Sequence, residues 1–194
     1  MNLLKYTFTI DCDKDEQFLK STMVKLKSNN LDFSEFINEL TAYLTLFKKY
    51  IDNMESYISQ YIDEIDQHNV KETFCAIKNR DILKYTISLR NFNQHHDSEF
   101  KNYILKHGIT TMYESGVISG PISIINHRVI KDYNESDTSK MVFLLGLIVA
   151  PVKYMWKGKT ITCQPPNNNL FTILETSTDA LFSYIRRHFK LYTQ

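Results

Sequence analysis

Glycine and proline are scarce in this sequence, five and four among 194 residues. That scarcity excludes collagen-like repeats, flexible linkers and Gly-rich phosphate loops of any extent. Charge imbalance is missing too. Twenty-three Lys and Arg against 22 Asp and Glu leave a formal net charge of +1. Bulk electrostatics therefore gives no argument for non-specific nucleic-acid binding, and any such contact has to be local. Cysteine amounts to Cys12, Cys75 and Cys163, far apart and without the spacing of a zinc knuckle or a redox motif. They read as free thiols in a reducing compartment. Met1-Asn2-Leu3-Leu4-Lys5 has neither the basic leader nor the apolar block of a signal peptide. The longest apolar run, Met141 to Val152 with Gly146 and Pro151 inside it, falls short of the ~20 residues that cross a bilayer. A soluble, cytoplasmic protein without a membrane partner is expected.

What is present is pattern. Aromatic residues make up 13 % of the chain, which argues against disorder, and the length suits a single domain over 1–194. Tyr6, Phe8 and Ile10 alternate with polar residues as in a half-buried strand. Asp13-Lys14-Asp15-Glu16 then places acids ahead of Phe18, Leu19, Met23 and Leu26, predicting a short helix that Ser28-Asn29-Asn30 stops. Asp32 and Glu35 resemble a capping box. Beyond them Phe33, Phe36, Ile37, Leu40, Leu44, Phe47, Ile51, Met54, Ile58, Ile62 and Ile65 recur in helical steps, widened by Tyr43, Tyr50, Tyr57 and Tyr61.

This predicts one long helix. Val70, Phe74, Ile77, Ile82, Tyr85, Leu89 and Phe92 predict a second, so that about 32–67 and 70–94 form an antiparallel hairpin. Ser98 to His107 reads as a third helix, with Ser98 as N-cap and Gly108 as stop. After Gly108 the texture turns to strand and loop. Val117 to Ile125, with Gly120-Pro121 inside, predicts a β-hairpin, and Asn134 to Ser139 a polar loop. Lys157-Gly158-Lys159 predicts a turn before Thr160 to Cys163, and Pro165 to Asn169 a second loop. Ser177 or Thr178 is the expected N-cap of a last helix carrying Ala180, Leu181, Tyr184, Ile185, Phe189 and Tyr192. The expected fold is mainly α: a helical bundle on a long antiparallel hairpin, with a small β-hairpin in the C-terminal half. Its parts are a helical core of about 32–110, a mixed β/loop segment of about 115–170 and a closing helix of about 178–192.

Chemistry gathers at Leu89-Arg90-Asn91-Phe92-Asn93-Gln94-His95-His96-Asp97, where the second hairpin helix ends. An Arg fixes phosphate through charge-assisted hydrogen bonds, and a His carries a proton near neutral pH. Asn91 adds an amide that orients either group. These are the needs of phosphodiester cleavage by an RNA 2′-hydroxyl, with no obligatory metal or cofactor. The bland alternative has Arg90 paired with Asp81 or Asp97 and both histidines merely solvated. His68, His107, His127 and His188 stand apart from one another, so a metal site is not expected. Ser115 and Ser119 make no nucleophile elbow. Arg186, Arg187 and Lys190, with His188, form a small basic patch on the last helix, a solvated face or a weak RNA-backbone contact. Asp63, Glu64 and Asp66 are expected to close the long helix and face water.

Arg90-Asn91-Phe92-Asn93-Gln94-His95, at the exit of a helical hairpin, resembles the motif of the HEPN (higher eukaryotes and prokaryotes nucleotide-binding) proteins. The resemblance covers about residues 32–110. It implies a metal-independent endoribonuclease of a toxin–antitoxin or antiphage defence system, with Arg90 and His95 catalytic and Asn91 supporting. His96 is the alternative histidine, since the family spacing also admits it. It further implies a homodimer in which two such motifs face each other, with RNA as substrate and an antitoxin or defence protein as partner. The extended stripe of the long helix likewise leads us to expect a second copy. The competing reading is a catalytically inert scaffold or interaction protein that binds a protein or nucleotide.

Overall fold

Apolar residues in helical steps from Phe36 to Ile58 leave one side of the chain without polar groups, and water drives that side inward. The computed structural model describes residues 7–8, 12–27, 31, 33–107, 109–113, 122–125, 128–131, 141–145, 151–167 and 169–191. Over these the protein is mainly helical. The helices are α1 (Cys12–Lys27), α2 (Phe33–Tyr61), α3 (Glu64–Lys78), α4 (Asp81–His95), α5 (Asp97–His107) and α6 (Leu170–His188). The strands are β1 (Thr7–Phe8), β2 (Ile109–Tyr113), β3 (Ile122–Ile125), β4 (Arg128–Lys131), β5 (Met141–Leu145), β6 (Val152–Trp156), β7 (Lys159–Cys163) and β8 (Lys190–Leu191). β1 and β8 pair in parallel; β2 with β5, β3 with β4 and β6 with β7 pair antiparallel.

α2 is the expected long helix, 29 residues and so ~43 Å. Phe36, Leu40, Tyr43, Leu44, Phe47, Tyr50, Ile51, Met54 and Ile58 are all buried along it. It ends at Tyr61, short of the expected 65–67, because Ile62 and Asp63 turn the chain. Asp63 therefore precedes α3, and Glu64 and Asp66 occupy its first turn rather than closing α2. There negative charge meets the positive end of the helix dipole. The return arm is antiparallel as expected: Asn93 Nδ2 donates to Thr41 Oγ1 at 3.0 Å, while Lys78 pairs with Glu55 further along α2. It is not one helix, however. Lys78-Asn79-Arg80-Asp81 offers nothing to bury, so α3 stops at Lys78 and α4 restarts at Asp81.

α6 runs beside α1, α3 and α4 and closes the core. It begins at Leu170, well before the expected 177–178. Asn169 is the N-cap, its side chain accepting from Thr172 N at 3.1 Å. Ser177 and Thr178 lie inside the helix, buried: the Ser177 and Thr86 hydroxyls are 2.7 Å apart, and Tyr43 donates to the Leu174 carbonyl at 2.7 Å while also meeting Thr178. Ser98 likewise stands one residue inside α5.

In the C-terminal half, β6 and β7 make the expected small hairpin. Its two-residue turn is Lys157-Gly158, with φ of 47° and 75°; positive φ at both positions matches the right-handed twist of the arms. Ile122–Ile125 pairs with Arg128–Lys131, so the β3 partner lies after it in the chain. Val117 to Pro121 and Asn134 to Ser139 lie outside the described residues, as do Asp32 and Ser28 to Asn30. The α2 stripe is covered by α1, α4 and α6 within one chain; Tyr43, Tyr50 and Tyr57 are buried and only Tyr61 of the four is exposed. A second copy is not needed to cover it.

Candidate functional site

Phe92 anchors the last turn of α4. Its ring stacks on Tyr154 of β6 at 5.9 Å and meets Phe100 and Tyr103 of α5 edge-on at 5.8 and 5.7 Å. Beneath it the Tyr85 and Tyr103 hydroxyls are 2.9 Å apart. Burial holds both phenols well above the ordinary tyrosine range, Tyr103 at about 12, so they act as neutral hydrogen-bonding groups. The end of α4, the start of α5 and the β6–β7 hairpin are thereby packed as one body.

Arg90, Asn91 and His95 project from this end. Residues four apart on an α-helix lie ~40° apart around its axis, and residues five apart ~140°. Asn91 and His95 therefore share a face, whereas Arg90 starts from another. The Arg90 guanidinium bends towards that face: Nη1 donates to Asn91 Oδ1 at 3.3 Å. Arg90 pairs with neither Asp81 nor Asp97, and Asp97 is engaged by Lys101 at 2.6 Å. The two histidines differ. His96 is half-buried, and its Nε2 donates to the Met155 carbonyl at 2.9 Å, tying α4 to β6. His95 is exposed, with its ring 4.3 Å from that of Trp156 and tilted 48°. Among the described residues its ring nitrogens make no hydrogen bond, and the other guanidinium N–H groups of Arg90 have no partner.

The basic patch of α6 is mostly committed elsewhere. Arg186 is ion-paired with Glu16 and with Asp13 at 3.2 Å, while Arg187 is exposed. The Lys190 side chain lies outside the described residues. His188 packs 4.5 Å from the Tyr184 ring. Burial first, and Arg187 second, lower its proton affinity. His68 pairs with Glu72 at 3.2 Å on an exposed face. His107 and His127 side chains, Ser115 and Ser119 lie outside the described residues. Cys75 and Cys163 are free thiols, the first exposed and the second buried.

Among the described residues, clefts away from the α4 exit include one of about 190 Å³ between α2 and the α3–α4 joint, beside Lys48, Glu55, Lys78 and Lys84, and one of about 360 Å³ between α1 and α6, beside Lys20, Met23 and Glu175. Among the described residues no group of three or more His, Cys, Asp or Glu is placed to hold a metal ion, and no helix is long and apolar enough to cross a membrane.

Sequence reasoning missed Trp156 and Lys157 as neighbours of the site. The signal was present in the Lys-Gly-Lys turn and the chain's single tryptophan. Their link to α4 was hidden by distance in the chain: His96 and Met155 are 59 residues apart. No protein-family model matches this chain, and neither the curated proteins nor the solved structures hold a match to it.

Proposed function

We propose that the protein is a metal-independent endoribonuclease of the HEPN type, serving a toxin–antitoxin or antiphage defence role, with the exit of α4 as its active site. One observation carries this reading. The Arg90 guanidinium hydrogen-bonds to Asn91, which stands one helical turn before an exposed His95 whose imidazole nitrogens make no hydrogen bond among the described residues. A phosphate donor and a proton carrier are thus directed to one face. The same comparison favours His95 over His96, whose Nε2 is occupied by the Met155 carbonyl.

In the proposed step His95 takes the proton of the RNA 2′-hydroxyl. The 2′-oxygen bonds to the adjacent phosphorus, the P–O5′ bond breaks, and the departing 5′-oxygen receives a proton. Products are a 2′,3′-cyclic phosphate and a 5′-hydroxyl. Arg90 holds the non-bridging oxygens as charge builds on them. DNA, lacking the 2′-hydroxyl, is not cut. Pairing of two chains, which the resemblance implies, would bring a second Arg90–His95 set to the same substrate and would use a surface other than the α2 stripe.

The test is a gel assay of purified protein on total RNA in excess EDTA. Wild type is expected to cleave. Arg90→Ala and His95→Ala each lose about 10²–10³-fold in rate with unchanged circular dichroism, and His96→Ala loses much less. Equal inertness of wild type and folded variants would overturn the enzyme reading in favour of a scaffold. Cleavage stopped by EDTA alone would assign the activity to a metal nuclease.

A further inference from the structure

Along β6, Val152 and Tyr154 point into the core while Lys153 and Met155 point away. The period of two puts Trp156 on the inward face with Tyr154. There α4 reaches its last residue, so the indole meets His95 at the end of the helix and remains 38 % exposed. A large aromatic face is thus left open beside the proposed catalytic histidine. Its surroundings are cationic. Lys159 is its cross-strand neighbour, and directly opposed residues share a face of the sheet. Lys157 reaches from the turn to place Nζ 5.8 Å from the ring centre. Neither lysine is in an ion pair among the described residues.

The platform is also held in place. His96 to the Met155 carbonyl, Phe92 on Tyr154 and buried Val152 fix the hairpin to α4. A rigid aromatic ring with one lysine ammonium over it and a second lysine across the strand pair, neither of them ion-paired among the described residues, fits a flat π-system that carries its own negative charge. The bases of a duplex are stacked on one another and closed to such a ring, so among nucleic acids a single strand or a loop presents both features.

We propose that Trp156, flanked by Lys157 and Lys159, is a stacking platform for one base of a single-stranded nucleic acid, positioning the adjoining phosphate beside His95. The proposal rests on the reading of the α4 exit as an RNA site and gives that site its substrate form. An acidic protein partner is the competing occupant.

Trp156 is the only tryptophan, so its emission reports on this position alone. The whole protein is titrated with a short 2′-O-methyl RNA, with a DNA single strand and with the DNA duplex of the same sequence; none can be cut through a 2′-hydroxyl. Both single strands are expected to quench the emission saturably and the duplex not to. The single-strand affinity falls with salt, with a logarithmic slope of about −1 to −2, as expected for two lysine contacts. Lys157→Ala with Lys159→Ala flattens that slope. In anisotropy measurements Trp156→Ala weakens binding about five- to 150-fold, and Trp156→Phe restores most of the loss. Absence of saturable quenching at millimolar single strand, equal quenching by duplex, or unchanged affinity of a folded Trp156→Ala overturns the proposal. Inert wild-type RNA assays together with intact quenching would remove the nuclease and leave the platform. Cleavage without quenching would do the reverse.

Discussion

Glu16 is a carboxylate with only 5 % of its surface exposed, set between α1 and α6. Burial by itself raises its pKa. Hydrogen bonds from Arg186 and Lys20, the latter at 2.8 Å, outweigh that and hold the carboxyl below its usual range. The consequence for stability has a definite sign. A lowered folded-state pKa stabilises the fold above the unfolded carboxylate value of 4.5, and that contribution is lost as pH falls through the folded value. Glu16→Gln is therefore expected to lower the urea midpoint at pH 7, by an amount equivalent to about 1–2 kcal/mol given that Arg186 is partly exposed. The difference from wild type should shrink towards zero as the pH falls below 4.5 and on through the lowered folded-state value. A gap that stays constant with pH would show that the carboxylate's charge contributes nothing. At the same scale, the gathering of Arg90, Asn91 and His95 at one helix end was legible from spacing alone. That His96 is tied to the Met155 carbonyl while His95 lies open beside Trp156 was not, because those partners are far away in the sequence.

Among the elements, α6 shows how a helix start is misread. Ser177 and Thr178 look like caps because two hydroxyl residues stand before Ala180 and Leu181. Yet Leu170, Ile173 and Leu174 already follow the same stripe, and Ser177 and Thr178 continue it as small buried groups whose hydroxyls are satisfied by Thr86, Tyr43 and the Ile82 and Leu174 carbonyls. Polar side chains can occupy a core stripe when partners on neighbouring helices await them, and single-chain periodicity cannot see those partners. The true cap, Asn169, sits in the Asn167-Asn168-Asn169 run that reads as loop. Asn169→Ala removes the acceptor for Thr172 N and is expected to cost about 1 kcal/mol, seen as a Tm lower by a few degrees. No change in Tm would mean that the start of α6 does not depend on that cap. The α3–α4 break is the mirror case. The polar gap of residues 78–81 was visible, but a helix crosses such gaps when both ends stay on one axis. Here α3 and α4 each pack against α2, and single-chain periodicity does not show whether they do so on one axis.

For the molecule as a whole, α2 made the helical bundle legible, since a stripe that long has to be covered. Which elements cover it was not legible: α6 is separated from α2 by the β segments, and together with the neighbouring α1 it takes the surface that otherwise argues for a second copy. Of the β6–β7 hairpin the Lys157-Gly158-Lys159 turn and the strand after it were legible; the first arm, Val152–Trp156, and the hairpin's place in the core were not. Val152, Tyr154 and Cys163 nevertheless belong to the same buried cluster as the helices. If that cluster is one cooperative unit, the hairpin cannot melt ahead of the bundle. Trp156 emission reports the hairpin and far-ultraviolet circular dichroism reports the helices, so the two urea transitions should coincide. Phe92→Ala removes the ring between them and is expected to cost about 3–5 kcal/mol. Because His96 and the buried Val152 would then hold the hairpin without the Phe92 ring, the fluorescence transition of that variant should move to lower urea than the dichroism transition. Separate transitions already in wild type would mean that the hairpin is an independent flap, and the platform at Trp156 would then be assembled only when its ligand arrives.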